Sequence, residues 1–259
     1  MKKIFCIIAL LILISPVIVM AEQYNSENEH AIYILRAGGG SSGGSGGSGG
    51  SGSSSHGHGS NSSSYDNNPI SYILNLIIFL VITFIGSIIL YIKVLRSAIN
   101  SKRYLKLLSK KDISWKYKNI EKQAITTFYS VQDSWTNMNM EPSKEYMSKK
   151  LYDSFVIKLN FMEANNKRNV LKMINLIDIK PVSIYDDEDD EKDFVWFYIK
   201  GFMVDYTINT ETKEKIDGTE FPTSFIEFWE FTRKGKDKWV LSKIKQKDEA
   251  DTIVFQQKD

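Results

Sequence analysis

The sequence predicts an α+β domain in its C-terminal half, with two to three helices packed on a curved antiparallel sheet of four strands. Apolar residues recur with helical spacing between residues 120 and 162. From residue 170 onward the chain is rich in β-branched and aromatic residues, interrupted by turn-like sequence. Helices followed by an antiparallel run of strands are typical of the α+β class.

Each of the two helical segments has one apolar face. The first face lies within about 80° on a helical wheel and consists of Ile120, Ala124, Phe128, Val131 and Trp135. The second segment follows Pro142, a residue that suits the first turn of a helix, and it has a predicted break near Ser148. Its apolar residues keep the same spacing: Met147, Leu151, Phe155, Leu159 and Met162.

Four segments are predicted as strands: 170–185, 194–207, 221–233 and 238–245. Residues 234–237, Lys-Gly-Lys-Asp, predict a tight hairpin between the last two, and Asp217-Gly218 predicts a turn before the third. Between the first two strands, residues 186–193 carry seven acids in eight positions. Mutual repulsion predicts a solvated loop there, with a weak calcium site or a contact with a basic partner as the alternatives.

The second predicted strand is apolar on both faces. One face carries Phe194, Trp196, Tyr198 and Phe202, and the other carries Val195, Phe197, Ile199 and Met203. Helices can cover one face only. The other face needs cover from a partner, a lipid or a second copy, or from the loops that surround an ordinary central strand.

Three segments precede the domain. Lys2 and Lys3 followed by an apolar run to Met20 predict a signal peptide over residues 1–21, with an uncleaved anchor as the alternative. Residues 22–69 are predicted to be a disordered extracytoplasmic segment, because 12 Gly and 12 Ser occupy most of the 27 positions from 38 to 64. The uncharged residues 73–92 are long enough to cross a bilayer, so a transmembrane helix is predicted at 70–92.

The net charge of +2 hides an uneven distribution. Residues 93–111 carry seven Lys and Arg and no acid, whereas residues 112–259 carry 23 basic and 27 acidic residues, a net charge of −4. The positive-inside rule therefore places the C-terminal domain in the cytoplasm. We expect a single-pass protein of the bacterial cytoplasmic (inner) membrane with its N-terminal tail outside.

Residues 93–111 are predicted to be a basic amphipathic juxtamembrane segment. One side of its wheel carries Tyr104, Leu105, Leu107 and Leu108. The candidates for contact with anionic membrane lipid headgroups are Lys102, Arg103, Lys106, Lys110 and Lys111. Such a helix can place its apolar side in the headgroup region, and the alternative is that these charges only set the topology. Nucleic acid is not expected as a partner of a domain with net negative charge.

The residue inventory limits the chemistry. Cys6 is the single cysteine and the histidines end at His58, so the C-terminal domain contains neither residue type. Zinc sites and Ser-His-Asp or Cys-His catalysis are excluded there, and no catalytic residue, metal or cofactor is predicted. The alternative is a small-molecule enzyme using a carboxylate in an apolar pocket, with Asp205 beside Tyr206 as the candidate.

Residues 120–247 resemble the C-terminal domain of the subunit 44 family of the translocase of the inner mitochondrial membrane, and bacterial membrane-anchored proteins that carry it. The most specific segment is Phe-x-Glu-x-Trp-x-Phe-x-Arg at 225–233. The residues that carry the resemblance on the helices are Ala124, Phe128, Val131, Gln132, Trp135, Leu151 and Tyr152, and those on the strands are Glu227, Trp229, Phe231, Arg233 and Trp239.

The resemblance implies a cone-like fold of the nuclear transport factor two superfamily, with an apolar pocket between sheet and helices. It also implies a role at a membrane, because the mitochondrial member binds lipid and docks a chaperone motor at an import channel. This chain lacks a transit peptide and the chaperone-docking region, so protein import is not carried over.

The sequence thus predicts a noncatalytic, membrane-anchored binding or scaffold protein. Its cytoplasmic domain would engage membrane lipid or an unidentified protein partner, and membrane protein transport or assembly is one process it would serve. The candidate pocket or partner-binding residues are Trp196, Tyr198, Phe202, Trp229 and Phe231. For aromatic residues on strands, burial in the core is the alternative.

Overall fold

A computed structural model describes residues 69–253, 255, 257 and 258. The predicted signal peptide and nearly all of the predicted extracytoplasmic segment, with the Gly/Ser-rich residues 38–64, lie outside the described residues and remain predictions. The described residues divide into two compact units, one that ends at Leu95 and one that begins at Arg96 and is called the Arg96–Asp259 unit. Each unit is described by itself.

Helix α1 spans Pro69–Lys111 and has 43 residues. Within the described part of the chain, one helix is long and apolar enough to cross a membrane, over Phe84–Lys111, and a shorter apolar stretch covers Ile73–Ile82. Both lie in α1, as does the predicted transmembrane segment 70–92. Large apolar side chains between residues 73 and 92 are exposed, Phe79 and Ile82 among them. An exposed apolar surface of this kind is typical of a helix that faces lipid.

The C-terminal end of α1 belongs to the α+β unit. Its buried residues lie within about 100° on a helical wheel and so form one helix face: Ser97, Ala98, Ser101, Leu105 and Leu108. Leu105 and Leu108 are part of the hydrophobic core, whereas Leu107 is exposed. Much of the apolar side predicted to enter the headgroup region is therefore used inside the protein.

Two further helices pack on the sheet: α2, Tyr117–Thr136, and α3, Lys149–Ala164. The helical segments predicted around 120–135 and 147–162 are confirmed. The predicted break lies at Ser148, whose hydroxyl caps α3 by accepting a hydrogen bond from the Leu151 N–H. A 3₁₀ helix at Glu141–Tyr146 precedes this cap.

Four long strands form the sheet: β1 (Lys167–Tyr185), β2 (Phe194–Asn209), β3 (Lys215–Lys234) and β4 (Lys238–Gln246). They are antiparallel neighbours in the order in which they follow one another, which confirms the predicted four-stranded sheet. A two-residue strand, β5 (Gln257–Lys258), adds to the outer edge of β1 in parallel. The sequence patterns do not predict β5.

The turn predicted at Asp217-Gly218 is wrong. Residues 210–214 join β2 to β3, and Gly218 lies inside β3 opposite Tyr206. Gly218 has a φ of +80°, and a Cβ on it would lie 2.4 Å from the carbonyl oxygen of Asp205. Glycine is needed there because the register with β2 is irregular and the two backbones approach closely.

Aromatic side chains fill the space between the helices and the inner face of the sheet. Phe128 of α2 contacts Trp229 of β3, with 5.5 Å between ring centroids. Trp115, which follows α1, packs edge-on against Trp239 of β4 at 5.0 Å. Edge-on and tilted aromatic pairs of this kind bury large areas in a defined geometry. The core therefore joins the end of α1, helix α2 and the sheet.

We expect Leu105→Ala to lower the free energy of unfolding of the Arg96–Asp259 unit by about 2–4 kcal/mol, because the substitution leaves a cavity in the core. Urea unfolding followed by tryptophan fluorescence measures the change. The matched control is Leu107→Ala, since that side chain is 57 % exposed and should matter by less than about 0.5 kcal/mol. Equal effects of the two substitutions would contradict the place of α1 in the core.

Candidate functional site

Two of the predicted pocket residues, Trp229 and Phe231, lie on the inner face of β3 without exposed surface. Trp229 contacts Phe128 of α2, and Phe231 stands edge-on to Phe197 of β2 at 5.7 Å. Both belong to the hydrophobic core. In this structure their role is packing between the sheet and α2.

Two other predicted partner-binding residues, Trp196 and Tyr198, lie on the outer face of β2. They are 6 % and 2 % exposed. Tyr198 stands edge-on to Phe228 of the neighbouring strand β3 at 5.8 Å, and the Lys245 ammonium lies 5.6 Å from the centre of the Trp196 ring. The fifth candidate, Phe202, is half-buried. The outer face is thus aromatic but largely closed.

The chain itself closes this face, through residues 247–258, which we call the C-terminal cover. Its 3₁₀ helix, Lys247–Thr252, packs against β3 and β4. Ala250 and Ile253 are buried, and Phe255 stands edge-on to Phe228 at 5.8 Å. The second apolar face predicted from β2 therefore exists, and its cover comes from the same chain.

Glu227 of the family motif is a buried carboxylate on the inner face. It accepts a hydrogen bond of 2.9 Å from the Trp229 indole N–H and one of 3.1 Å from the Gln246 amide. These bonds satisfy a group that would be costly to bury alone. Because Gln246 ends β4, the second bond joins β3 to its neighbouring strand.

Arg233, the last motif residue, is a buried cation that pairs with three carboxylates from two segments of the chain. Its guanidinium lies 2.6 Å from Asp112, 3.1 Å from Asp193 and 3.2 Å from Asp190. Asp112 directly follows α1, and the other two belong to the acidic run. We call these four residues the Arg233 cluster. The cluster holds the exit of α1, the acidic run and the end of β3 together.

The acidic run is therefore only partly the solvated loop that its charge predicts. The Asp193 side chain has no exposed surface, and it also accepts a hydrogen bond of 2.8 Å from the Asp187 N–H. Most of its neighbours are exposed, as expected. Burial of Asp193 is possible because Arg233 supplies an opposite charge, and no pattern within the run itself indicates that distant partner.

Burial and pairing act in opposite directions on the carboxylates of the Arg233 cluster. Burial raises the pKa of Asp193 to about 6, against the opposing hydrogen bonds from the Asp187 N–H and Arg233. Partial burial also acts on Asp112, but hydrogen bonds from Ser114 and the charge of Arg233 hold the pKa of that carboxyl below its ordinary value. The pKa of Asp193 is thus raised while that of Asp112 is lowered, although both carboxylates pair with the same guanidinium.

Asp205, the candidate base of the enzyme alternative, lies in a hydrogen-bonded chain. The side-chain amide N–H of Asn169 donates to the Asp205 carboxylate at 2.8 Å, and the side-chain oxygen Oδ1 of Asn169 accepts from the Trp135 indole N–H at 3.0 Å. This chain links α2, β1 and β2. The contact that the structure gives Asp205 is a structural one.

The predicted membrane-surface residues lie on the exposed side of α1. All five are exposed: Lys102, Arg103, Lys106, Lys110 and Lys111. The Lys102 ammonium lies 4.7 Å from the centre of the Tyr117 ring, a favourable cation–π distance. Leu105 and Leu108, on the apolar side of the same segment, are instead buried in the core. The expectation that this side enters the headgroup region is wrong for these two residues.

Two polar features were not predicted from the sequence. Gln132 of the family motif is fully buried, and neither atom of its amide has a hydrogen-bond partner among the described residues. An open groove of about 350 Å³ also lies between α2, the 3₁₀ helix before α3, and β4. It is lined by Asn119, Lys122, Gln123, Thr126, Tyr146, Lys238 and Trp239. The sequence shows no signal for this groove because its residues come from three separate segments.

Across the described part of the chain there is no group of three or more His, Cys, Asp and Glu side chains placed to hold a metal ion. The carboxylates of the Arg233 cluster face a guanidinium instead.

We expect Arg233→Gln to destabilise the Arg96–Asp259 unit by about 3–5 kcal/mol at pH 7, because it leaves the buried Asp193 charge without a partner. The folded-state pKa of Asp193 is already raised to about 6 and should rise further. The folded state then binds a proton that the unfolded state lacks, so the stability of the variant falls as pH rises through this range.

The deficit relative to the wild type should therefore be smaller at pH 5 than at pH 7.5, as measured by urea unfolding at both pH values. Lys192→Gln is the control, because its ion pair with Asp189 is exposed and should contribute less than about 1 kcal/mol. A deficit that is independent of pH would show that Asp193 does not depend on Arg233.

Comparison with known proteins supports the resemblance drawn from the motif. The family described as the Tim44-like domain matches residues 101–246. Among solved structures, the intermembrane space region of the chloroplast protein ARC6 is similar, with 8 % identity and a TM-score of 0.33 over 48 % of this chain and 94 % of that one. No curated protein matches the chain. Because the family match covers more than half of the 259 residues, this protein belongs to the Tim44-like domain family.

Proposed function

We propose that this protein is a noncatalytic, membrane-anchored scaffold of the bacterial cytoplasmic membrane. In this proposal α1 anchors the chain, and the Tim44-like domain on the cytoplasmic side engages anionic lipid and a protein partner. The family is associated with scaffolds of protein translocation at membranes. Transport or assembly of membrane proteins is the process such a scaffold would serve here.

The observation that carries the proposal is the dual use of α1. This helix contains the apolar stretch of membrane length, and its last turns supply Leu105 and Leu108 to the core of the domain. Only residues 93–95 separate the predicted membrane segment from the unit that begins at Arg96. In this proposal the domain stays attached to its anchor because the two share one helix.

The polar groups inside the domain favour a scaffold over an enzyme. Glu227 is held by Trp229 and Gln246, and Asp205 is held by Asn169. Catalytic acids and bases need access to a substrate proton, whereas these carboxylates make bonds that join strands and helices. These contacts of Glu227 and Asp205 therefore favour the scaffold over the enzyme alternative.

Lipid contact is assigned to the exposed basic side of α1. Arg103 and Lys106 are exposed one turn apart on the helix. A basic residue near an anionic surface contributes about 1 kcal/mol before screening. The burial of Leu105 and Leu108 leaves electrostatic attraction as the main source of binding, so the contact should be sensitive to salt.

Deletion of residues 73–92 from the full chain should release it from bacterial membranes into the carbonate-soluble fraction, because the stretch that can cross the bilayer is lost. The matched control deletes residues 38–64, a segment of similar length that is rich in Gly and Ser, and should leave the chain in the membrane pellet. A chain that lacks both residues 1–21 and residues 73–92 and still resists carbonate extraction would contradict anchoring by α1, because the alternative N-terminal anchor is then absent as well.

The double substitution Arg103→Glu with Lys106→Glu should weaken binding of the Arg96–Asp259 unit to vesicles containing phosphatidylglycerol by about tenfold or more, because two attractive charges become repulsive. Vesicle flotation at low and at physiological salt measures the binding. Lys149→Glu with Lys150→Glu is the matched control, since both residues are exposed at the start of α3. An equal loss of vesicle binding in the two double variants, or binding that does not change with salt concentration, would contradict this lipid contact.

A further inference from the structure

The outer face of the sheet is built from large apolar side chains that need a cover. Trp196 and Tyr198 of β2, Phe228 of β3 and Val240 of β4 are all buried. Among the described residues, the C-terminal cover contacts this face: Phe255 meets Phe228, and the 3₁₀ helix packs against β3 and β4. An apolar face of this size would be a binding surface if it were open.

The contacts of the C-terminal cover with the sheet resemble those of a bound peptide ligand. Phe255 places its ring edge-on against Phe228 at 5.8 Å, with an interplanar angle of 87°. Two residues later, Gln257 and Lys258 add a strand to the edge of the sheet beside Ile184 and Tyr185. Main-chain pairing at a sheet edge, with side chains in neighbouring pockets, is how many domains bind extended peptides.

A polar contact fixes the position of this added strand. The Gln257 side-chain amide donates to the Ser101 hydroxyl at 3.0 Å, and the Ser97 hydroxyl lies 3.5 Å away. Both serines are buried on the face of α1 that packs in the domain. The site therefore has an aromatic pocket on the sheet and, two residues further along the peptide, a pair of hydroxyl groups on α1.

The cover pairs with the sheet over fewer residues than the long strands pair with one another. Among the described strands, the outer edge of β1 is paired only at Ile184 and Tyr185, although β1 has 19 residues. The cover also follows β4, the last long strand, so its departure breaks no ladder among β1 to β4. These features favour a cover that can leave while the rest of the domain stays folded.

We propose that the outer face and the β1 edge form a strand-addition site for an extended peptide of a protein partner, and that the C-terminal cover occupies this site within the same chain. The partner peptide carries an aromatic residue followed, two positions later, by a residue whose side chain hydrogen-bonds Ser101. This inference rests on the proposed scaffold function, since it names the class of its protein partner.

The test uses the full chain truncated after Gln246, reconstituted in lipid nanodiscs, and a fluorescein-labelled peptide of residues 247–259. We expect saturable binding by fluorescence anisotropy. The intact chain should bind the same peptide about a hundredfold more weakly, because its own cover competes at a high effective concentration. A peptide with Phe255→Ala and Gln257→Ala should lose about tenfold in affinity for the truncated chain.

Three results would overturn the proposal: no binding to the truncated chain, equal binding to the truncated and intact chains, or equal binding of the two peptides. Loss of secondary structure in the truncated chain, seen by circular dichroism, would also overturn it, because the cover would then be part of the fold. Carbonate extraction and vesicle binding of the truncated chain distinguish failure of this inference from failure of the proposed scaffold function. If both persist while the peptide does not bind, the scaffold function stands and only this inference fails.

Discussion

The central strand β2 carries apolar side chains on both faces, and the rest of the domain follows from the need to keep both faces from water. Val195, Phe197 and Ile199 on one face are fully buried in the core with α2, α3 and the end of α1. Trp196 and Tyr198 on the other face are buried where the C-terminal cover lies. Because a sheet of four long strands cannot close on itself, each face requires its own layer. The helices supply one layer and the last residues of the chain supply the other.

Arg233 sets a second constraint, an electrostatic one. A guanidinium that is only 5 % exposed must find opposite charge nearby, and the carboxylates come from Asp112 and from the acidic run. This explains why a loop of mutually repelling acids turns back against the sheet at Asp193. It also places the exit of α1 beside the start of β2, since Asp112 and Asp193 share one partner. The family motif thus contributes a charge on which the arrangement of two other segments depends.

Local patterns predicted most of the fold. The helical spacing from Ile120 to Trp135, the break near Ser148 and the alternation along β2 each concern neighbours in sequence, and each is present in the structure. The failures concern contacts between distant segments. Gly218 was read as a turn, although its glycine serves a close approach to Asp205. The side of α1 that carries Leu105 was assigned to lipid, because an amphipathic wheel does not say whether protein or membrane covers its apolar face.

The candidate site was predictable only in part for the same reason. The aromatic outer face of β2 could be predicted from its sequence, but the identity of its cover could not, because residues 247–258 are mostly polar and only the short apolar run 253–255 indicates burial. Gln257 joins the two ends of the domain: its backbone extends the sheet, and its side chain reaches Ser101 on α1. Under the proposed strand addition, a partner peptide that replaced the cover and carried a hydrogen-bonding side chain at the position of Gln257 would take over this contact with α1. In that proposal, occupancy of the outer face and the packing of α1 are linked at one pair of hydroxyl groups.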